Sequence, residues 1–340
     1  MKIGVDLISG ESDITELVKG CIDAVEAVKD IEVVMIGKPE VYEPLIHHKK
    51  SFWGKNDPKG RLSILKASEI ITMEDDPLKV IKQKPESSIV VGLQAHKRME
   101  IDAFFSPGNT GAIVVASSLI MGRVKGIKKP ALAAFLPNRL GRANLLLDVG
   151  ASAECDVEDL LKFAIMGRIF YSEMEKVENP RIALLNIGSE SHKGTALQKA
   201  TYKRMNEMKL NFVGNIEGHD LFTSVAEVIV CDGALGNVAL KVIEGAGKTI
   251  TTLLKESIKS DPMAKVALPL YGNALKKLGK QIDPEAHGGV PLLGVRGNIF
   301  IGHGKSGRQA ITAGILAAAQ AVRTDVLGKI HRDLETLHLG

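Results

Sequence analysis

Residues 101–111 read Ile101-Asp-Ala-Phe-Phe-Ser-Pro-Gly-Asn-Thr-Gly111. A short apolar strand enters a turn with two glycines, and an apolar helical stretch follows from about Ala112. Glycine lets the backbone turn sharply, so several N–H groups can converge on one space. The start of the following helix adds partial positive charge, and the Ser106 and Thr110 hydroxyls add donors. Such a turn suits an oxyanion of phosphate size, with Ser106, Gly108, Asn109, Thr110 and Gly111 as its floor. Similar junctions recur at Asp148-Val-Gly150, Asn186-Ile-Gly188 and Asp232-Gly-Ala-Leu-Gly-Asn237. Their repetition predicts one polar floor along a single rim of a sheet.

Strand and helix patterns alternate on either side of these turns, from an opening strand at Lys2–Asp6 to a helix expected over Ser306–Val322. Alternation of this kind predicts a three-layer α/β/α fold around a mostly parallel, doubly wound sheet. The ligand is then expected outside the carboxyl ends of the strands. The chain reads as a single α/β domain over 1–340. A helical protrusion is expected at 259–285, where Pro262, Pro269 and Gly272 break the pattern. Within it the apolar run Ala267-Leu-Pro-Leu-Tyr271 precedes Leu275-Lys-Lys-Leu-Gly-Lys280, a combination suited to peripheral contact with an anionic membrane or to packing on a second subunit.

Aromatic residues make up 4% of the chain, so the core must be aliphatic, as in buried parallel sheets. The formal charge of +4 is too small for the basic stripe of a nucleic-acid binder. Cys21, Cys155 and Cys231 form no Cys-x-x-Cys pair and suggest neither a zinc site nor a disulfide framework, which fits a reducing cytosol. The chain enters a strand at once, without the pattern of a signal peptide, and no apolar run is long enough to span a bilayer. A cytoplasmic protein is the expectation.

Familiar cofactor patterns fail on inspection. Gly302-His-Gly-Lys-Ser-Gly307 has the spacing of a dinucleotide fingerprint, but only an amphipathic stretch over Thr324–Gly340 follows the next helix, not the strand the motif needs. Gly304-Lys305-Ser306 and Gly247-Lys248-Thr249 lack the earlier glycine of a phosphate-binding loop, which is Ile299 in one and Val242 in the other. The carboxylates of Glu154, Asp156, Glu158 and Asp159 open a helix, whose dipole they complement, and are not read as metal ligands. Cys155 lacks a flanking base and reads as a small buried residue. No cofactor and no metal are expected.

Four stretches taken in order resemble the phosphate acyltransferase (PlsX) family of bacterial phospholipid synthesis. They are Ser106-Pro-Gly-Asn-Thr-Gly-Ala112, Leu145-Leu-Leu-Asp-Val-Gly-Ala151, Leu184-Leu-Asn-Ile-Gly188 with Lys193-Gly194, and Val230-Cys-Asp-Gly-Ala-Leu-Gly-Asn-Val-Ala-Leu240. The resemblance implies an isocitrate-dehydrogenase-like homodimer that transfers a fatty acyl group from acyl carrier protein to inorganic phosphate, giving acyl phosphate. Phosphate is then the nucleophile, and the protein's task is to hold a dianion and stabilise the oxyanion formed on attack. The resemblance implies Lys193 for charge neutralisation and Asn237 for positioning phosphate or polarising the carbonyl. It adds Asp148, Gly150, Asn186, Asp232 and Gly236 from the other glycine turns, and Gly288, Gly289 and His303 from two later ones.

Some turns depart from the family pattern. The opening Asp-Ala-Met-Gly-Gly-Asp becomes Asp6-Leu-Ile-Ser-Gly-Glu11, the aromatic after Asp232-Gly becomes Ala234, and Tyr-Gly-Gly becomes His287-Gly-Gly289. These changes leave two alternatives: an acetyl-phosphate-forming subunit of a glycine, sarcosine or betaine reductase, and a non-catalytic homologue that scaffolds lipid-synthesis enzymes. Acyl carriers are acidic, so Arg123, Lys125, Lys128 and Lys129 are the expected contacts for one.

Overall fold

The computed structural model describes residues 1–47, 60–261, 263, 272 and 288–336. The chain opens with β1 (Lys2–Asp6), α1 (Ile14–Ala27), β2 (Glu32–Gly37), α2 (Pro39–His47) and β3 (Leu62–Lys66). α3 (Pro77–Gln83), α4 (Ser88–Lys97), β4 (Ala103–Ser106) and α5 (Thr110–Ile120) complete the first part. β5 (Ala131–Pro137), β6 (Ala143–Leu147), α6 (Val157–Glu175), β7 (Ile182–Leu185), α7 (Ala196–Glu207), β8 (Phe212–Ile216), β9 (Val228–Val230) and α8 (Gly233–Ser260) follow. The chain then returns through β10 (Val290–Leu293), β11 (Ile299–Ile301), α9 (Arg308–Arg323) and α10 (Val326–Thr336).

One sheet runs through the molecule in the order β3-β2-β1-β4-β11-β10-β5-β6-β9-β7-β8. Most neighbours are parallel, as the alternation predicts, and helices cover both faces. α1, α6 and α9 bury Leu17, Phe163 and Ile315 on one face; α4 and α5 bury Leu93 and Ile113 on the other. The polar ends of the helices are satisfied locally. Asp156 and Asp159 form a reciprocal capping box at the start of α6, as the acidic run there predicts, and Thr195 and Gln198 do the same for α7.

The expected single rim is corrected by the middle of the sheet. β10 runs antiparallel to both β11 and β5, and β5 runs antiparallel to β6. Three reversals between β4 and β6 leave β6, β9, β7 and β8 pointing opposite to β1, β2, β3, β4 and β11. The turn after β4 therefore lies at one rim, and the turns after β6, β7 and β9 lie at the other. β10 was not expected, because Pro291 and the glycines before it read as breakers. α2 was missed for a similar reason, with Pro44 inside it. The protrusion expected at 259–285 lies outside the described residues beyond 261, apart from 263 and 272.

Candidate functional site

At the rim reached by β6, β9 and β7, three turns stand side by side. The first closes around Asp148, whose carboxylate is fully buried. Its Oδ1 accepts from the N–H groups of Leu132 (2.8 Å), Gly150 (3.0 Å) and Ala151 (2.9 Å), and its Oδ2 from that of Ser152 (2.7 Å). Burial pushes this carboxyl above its ordinary range, against the lowering effect of the four N–H groups. Asp148 therefore shapes the turn, and its oxygens are committed to the backbone.

The second turn starts α8. Asp232 caps the helix by accepting from Leu235 N (2.9 Å), and Gly233 N donates to Ser152 O (3.0 Å), which ties this turn to the first. Gly236 packs so closely that a Cβ there would stand 1.9 Å from the Asp148 carbonyl oxygen. This contact fixes the next residue, Asn237, which is exposed at the rim. The Asn237 side chain lies over Gly150: a Cβ on that glycine would meet Asn237 Cβ and Cγ at 3.4 Å. Gly150 has φ +130°, which an L side chain rarely adopts.

The third turn presents Lys193. Asn186 accepts from Ile187 N (2.8 Å) and donates to Lys193 O (3.2 Å), while Asn215 donates to Glu190 O (2.9 Å). Two buried amides thus anchor the loop on both sides, and Lys193 itself remains exposed. Asn215 was not among the expected residues. It lies within β8, where a lone amide beside Gly214 carries no recognisable chemistry in the sequence. Together the rim offers an exposed amide, an exposed ammonium and the start of a long helix. These groups suit binding of an anion and stabilisation of a developing oxyanion.

The opposite rim holds the other expected residues: Ser106, Gly108, Asn109, Thr110, Gly111, Gly288, Gly289 and His303. Their polar side chains are largely engaged in the fold. Ser106 Oγ donates to the buried Asp6 carboxylate (2.7 Å) and accepts from Gly108 N (3.1 Å). Asn109 accepts from Ala112 N (3.0 Å), capping α5, and donates towards the carbonyls of Thr72, Met73 and Asp75. His303 Nδ1 accepts from Lys305 N (3.1 Å). Thr110 is exposed on the first turn of α5. Gly288 and Gly289 enter β10 with φ +83° and +86°, Gly288 against Ala313 and Ala317 and Gly289 against Ile301 and Phe105.

Cys155 lies between these turns and α6, with its Sγ 3.6 Å from Ser152 O. Burial pushes the thiol up to about 11, which leaves little thiolate near neutrality. Cys155→Ser should therefore retain phosphate-dependent turnover, and alkylation of Cys155 should accelerate as the pH rises towards 11. Fast labelling at pH 7 would contradict this assignment. No cluster of metal-ligating side chains occurs among the described residues.

Known proteins resemble this chain in sequence and in fold. Residues 1–329 match the family described as "Fatty acid synthesis protein". The chain is 39% identical over 337 residues to a phosphate acyltransferase of Thermoanaerobacter pseudethanolicus, covering 99% of this chain and 98% of the relative. It is 41% identical over 335 residues to that of Caldanaerobacter subterraneus subsp. tengcongensis, with 98% of each covered. Among solved structures, a phosphotransacetylase from Streptococcus pyogenes superposes with a TM-score of 0.60 at 16% identity, over 95% of this chain and 94% of that one. The EutD phosphotransacetylase from Staphylococcus aureus gives 0.59 at 11% identity, over 95% and 94%. At these identities the superpositions speak for the fold alone.

Proposed function

Because the chain belongs to the phosphate acyltransferase family and is an acyltransferase, we propose that it transfers a fatty acyl group from acyl carrier protein to inorganic phosphate, in the service of phospholipid synthesis. The observation that carries this reading is the placing of Asn237 over the Asp148–Ser152 turn, with Lys193 on the turn after β7, next to the β9 turn that carries Asn237. Lys193 neutralises the phosphate dianion and lowers the cost of bringing it to the thioester. A phosphate oxygen attacks the thioester carbonyl carbon, and the carbonyl oxygen takes up negative charge. The Asn237 amide stabilises that oxyanion, helped by the partial positive charge at the start of α8. The tetrahedral intermediate then collapses, the C–S bond breaks, and the carrier sulfur leaves as a thiolate that takes up the proton given by the hydrogen phosphate. No covalent acyl-enzyme is needed, in keeping with the raised Cys155 thiol.

We further propose a cytoplasmic homodimer. Support comes from α8, which buries only Gly233 and Gly236 among its 28 residues. Val238, Val242, Ile250 and Leu253 are each more than half exposed and share one side of the helix. A second copy packing there would cover this stripe. Among the described residues, no single helix is long and apolar enough to cross a membrane.

The deciding experiment is phosphate-dependent thiol release from a panel of donors: long-chain acyl carrier protein, the matching acyl coenzyme A, and acetyl thioesters. Release is expected to be fastest from the long-chain carrier, with acyl phosphate as product. Preference for acetyl donors would transfer the assignment to acetyl phosphate formation. No release from any thioester would overturn the catalytic reading.

A further inference from the structure

The segment before β5 crosses the rim that holds Asn237. Ser152 Oγ donates to Pro130 O (3.0 Å), and Val149 N donates to Leu132 O (3.0 Å), so the end of this segment touches the Asp148–Ser152 turn, while its start pairs with residues 294–296. Two arginines meet at its start, where the Arg123 guanidinium donates to Lys128 O. Arg123 pairs with Val295 in an isolated antiparallel bridge, Arg296 N donates to Gly122 O (2.9 Å), and Arg296 Nε donates to Arg123 O (2.9 Å).

Both arginines are exposed, as is Lys125 between Val124 and Gly126. None of the three is paired with a carboxylate among the described residues. Their neighbours differ: Lys128 pairs with Asp156 at 3.5 Å, and Lys129 with Asp159 at 3.6 Å. The exposed acids on this side are Glu154, Asp156, Asp102 and Asp325: Asp156 is engaged by Lys128, Asp325 by Arg332, and Asp102 Oδ2 accepts from Lys2 N. Holding like charges together is unfavourable unless an anion shares them. Leu119, on the last turn of α5, adds an apolar point that is 66% exposed.

We propose that Arg123, Lys125 and Arg296, with Leu119 beside them, form the docking surface for the acidic carrier protein that delivers the acyl group. This extends the reading given under Proposed function, because the donor must then be a protein and its thioester must reach Asn237. The surface lies at the rim where β6 ends, the rim that also holds the Asp148–Ser152 turn and Asn237. A carrier seated on it stands on the same side of the sheet edge as the amide. Of the four basic residues expected from sequence, two remain available for a partner, and Arg296 joins them from a distant part of the chain.

The test compares Arg123→Glu, Lys125→Glu and the Arg123→Glu/Arg296→Glu double variant with the unaltered protein. Titration with unacylated carrier protein gives affinity, and turnover is measured with carrier-bound and small acyl-pantetheine thioesters. Carrier affinity is expected to fall ~10-fold or more in the double variant, and the salt dependence of binding to flatten, since charges at an interface act through steering and are screened by salt. Turnover of the small thioester should be unchanged. Unaltered carrier affinity would overturn the proposal, as would an equal loss with both donors. Binding to anionic phospholipid vesicles that falls while carrier affinity holds would reassign the surface to a membrane. If no thioester is turned over, the catalytic reading fails, while the carrier titration still decides the docking surface.

Discussion

Asn237→Ala should lower kcat with carrier-bound thioester by ~10²–10³-fold, the range seen when one oxyanion donor is removed. The KM for the donor should change little, because the amide acts mainly on charge that develops during attack. Folding should be nearly unaffected: Asn237 is exposed, and surface changes of this kind usually alter stability by no more than about 0.5 kcal/mol. Asn237→Asp should be at least as damaging, since it sets a carboxylate where the dianion approaches. Turnover assays paired with thermal melts would separate these effects. An Asn237→Ala protein with unaltered kcat would remove this residue from the chemistry.

The second large effect is expected one residue earlier. Gly236→Ala would bring a methyl group to 1.9 Å from the Asp148 carbonyl oxygen and 2.9 Å from Cys231 Sγ. Neither neighbour yields easily, because Asp148 is buried and holds four backbone N–H groups. The start of α8 must then move away from the turn, carrying Asn237 with it. A loss of about 3 kcal/mol in stability is expected, at the upper end for overpacking, with turnover falling at least as far as for Asn237→Ala. Gly247→Ala serves as a control. It lies on the same helix, away from the apolar stripe, with no atom near its added methyl group, and it should stabilise the helix by about 0.5–1 kcal/mol. Denaturant unfolding of the two variants would check both signs. A Gly236→Ala protein as stable and active as the parent would show that this contact does not hold the rim together.

Much of the fold could be read from periodicity. The long helix at Val157–Glu175 has the expected bounds, and the acidic residues before it form the cap they suggest. Strand direction could not be read in this way. An apolar run such as Ala131–Pro137 looks the same whether it pairs parallel or antiparallel, and β10 was hidden by Pro291. β10, antiparallel to both neighbours, leaves β11 and β5 pointing the same way; the antiparallel pairing of β5 with β6, two expected strands, divided one expected floor into two rims.

The candidate site followed the same pattern. Lys193 and Asn237 were legible from the motifs around them, and topology brings their turns together. The commitments of Ser106, Asn109 and Asp148 to their own loops were not legible. A serine in a glycine turn reads as a ligand donor until its partner is known, and Asp6, the partner of Ser106, lies 100 residues away. Arg296 was missed for the same reason, because its neighbour Arg123 is 173 residues distant.

The reversal between β5 and β6 also bears on the order in which the chain can close. The half of the sheet containing β6 to β9 is built entirely from residues 143–230, and its covering helices α6, α7 and α8 are complete by Ser260. The half that contains the N-terminus lacks β11 and α9 until residue 323 has been made. α1 meets α9 through Asp23 and Arg308, groups 285 residues apart. On the ribosome, the part of this protein synthesised first is therefore the part that must wait longest for its partners.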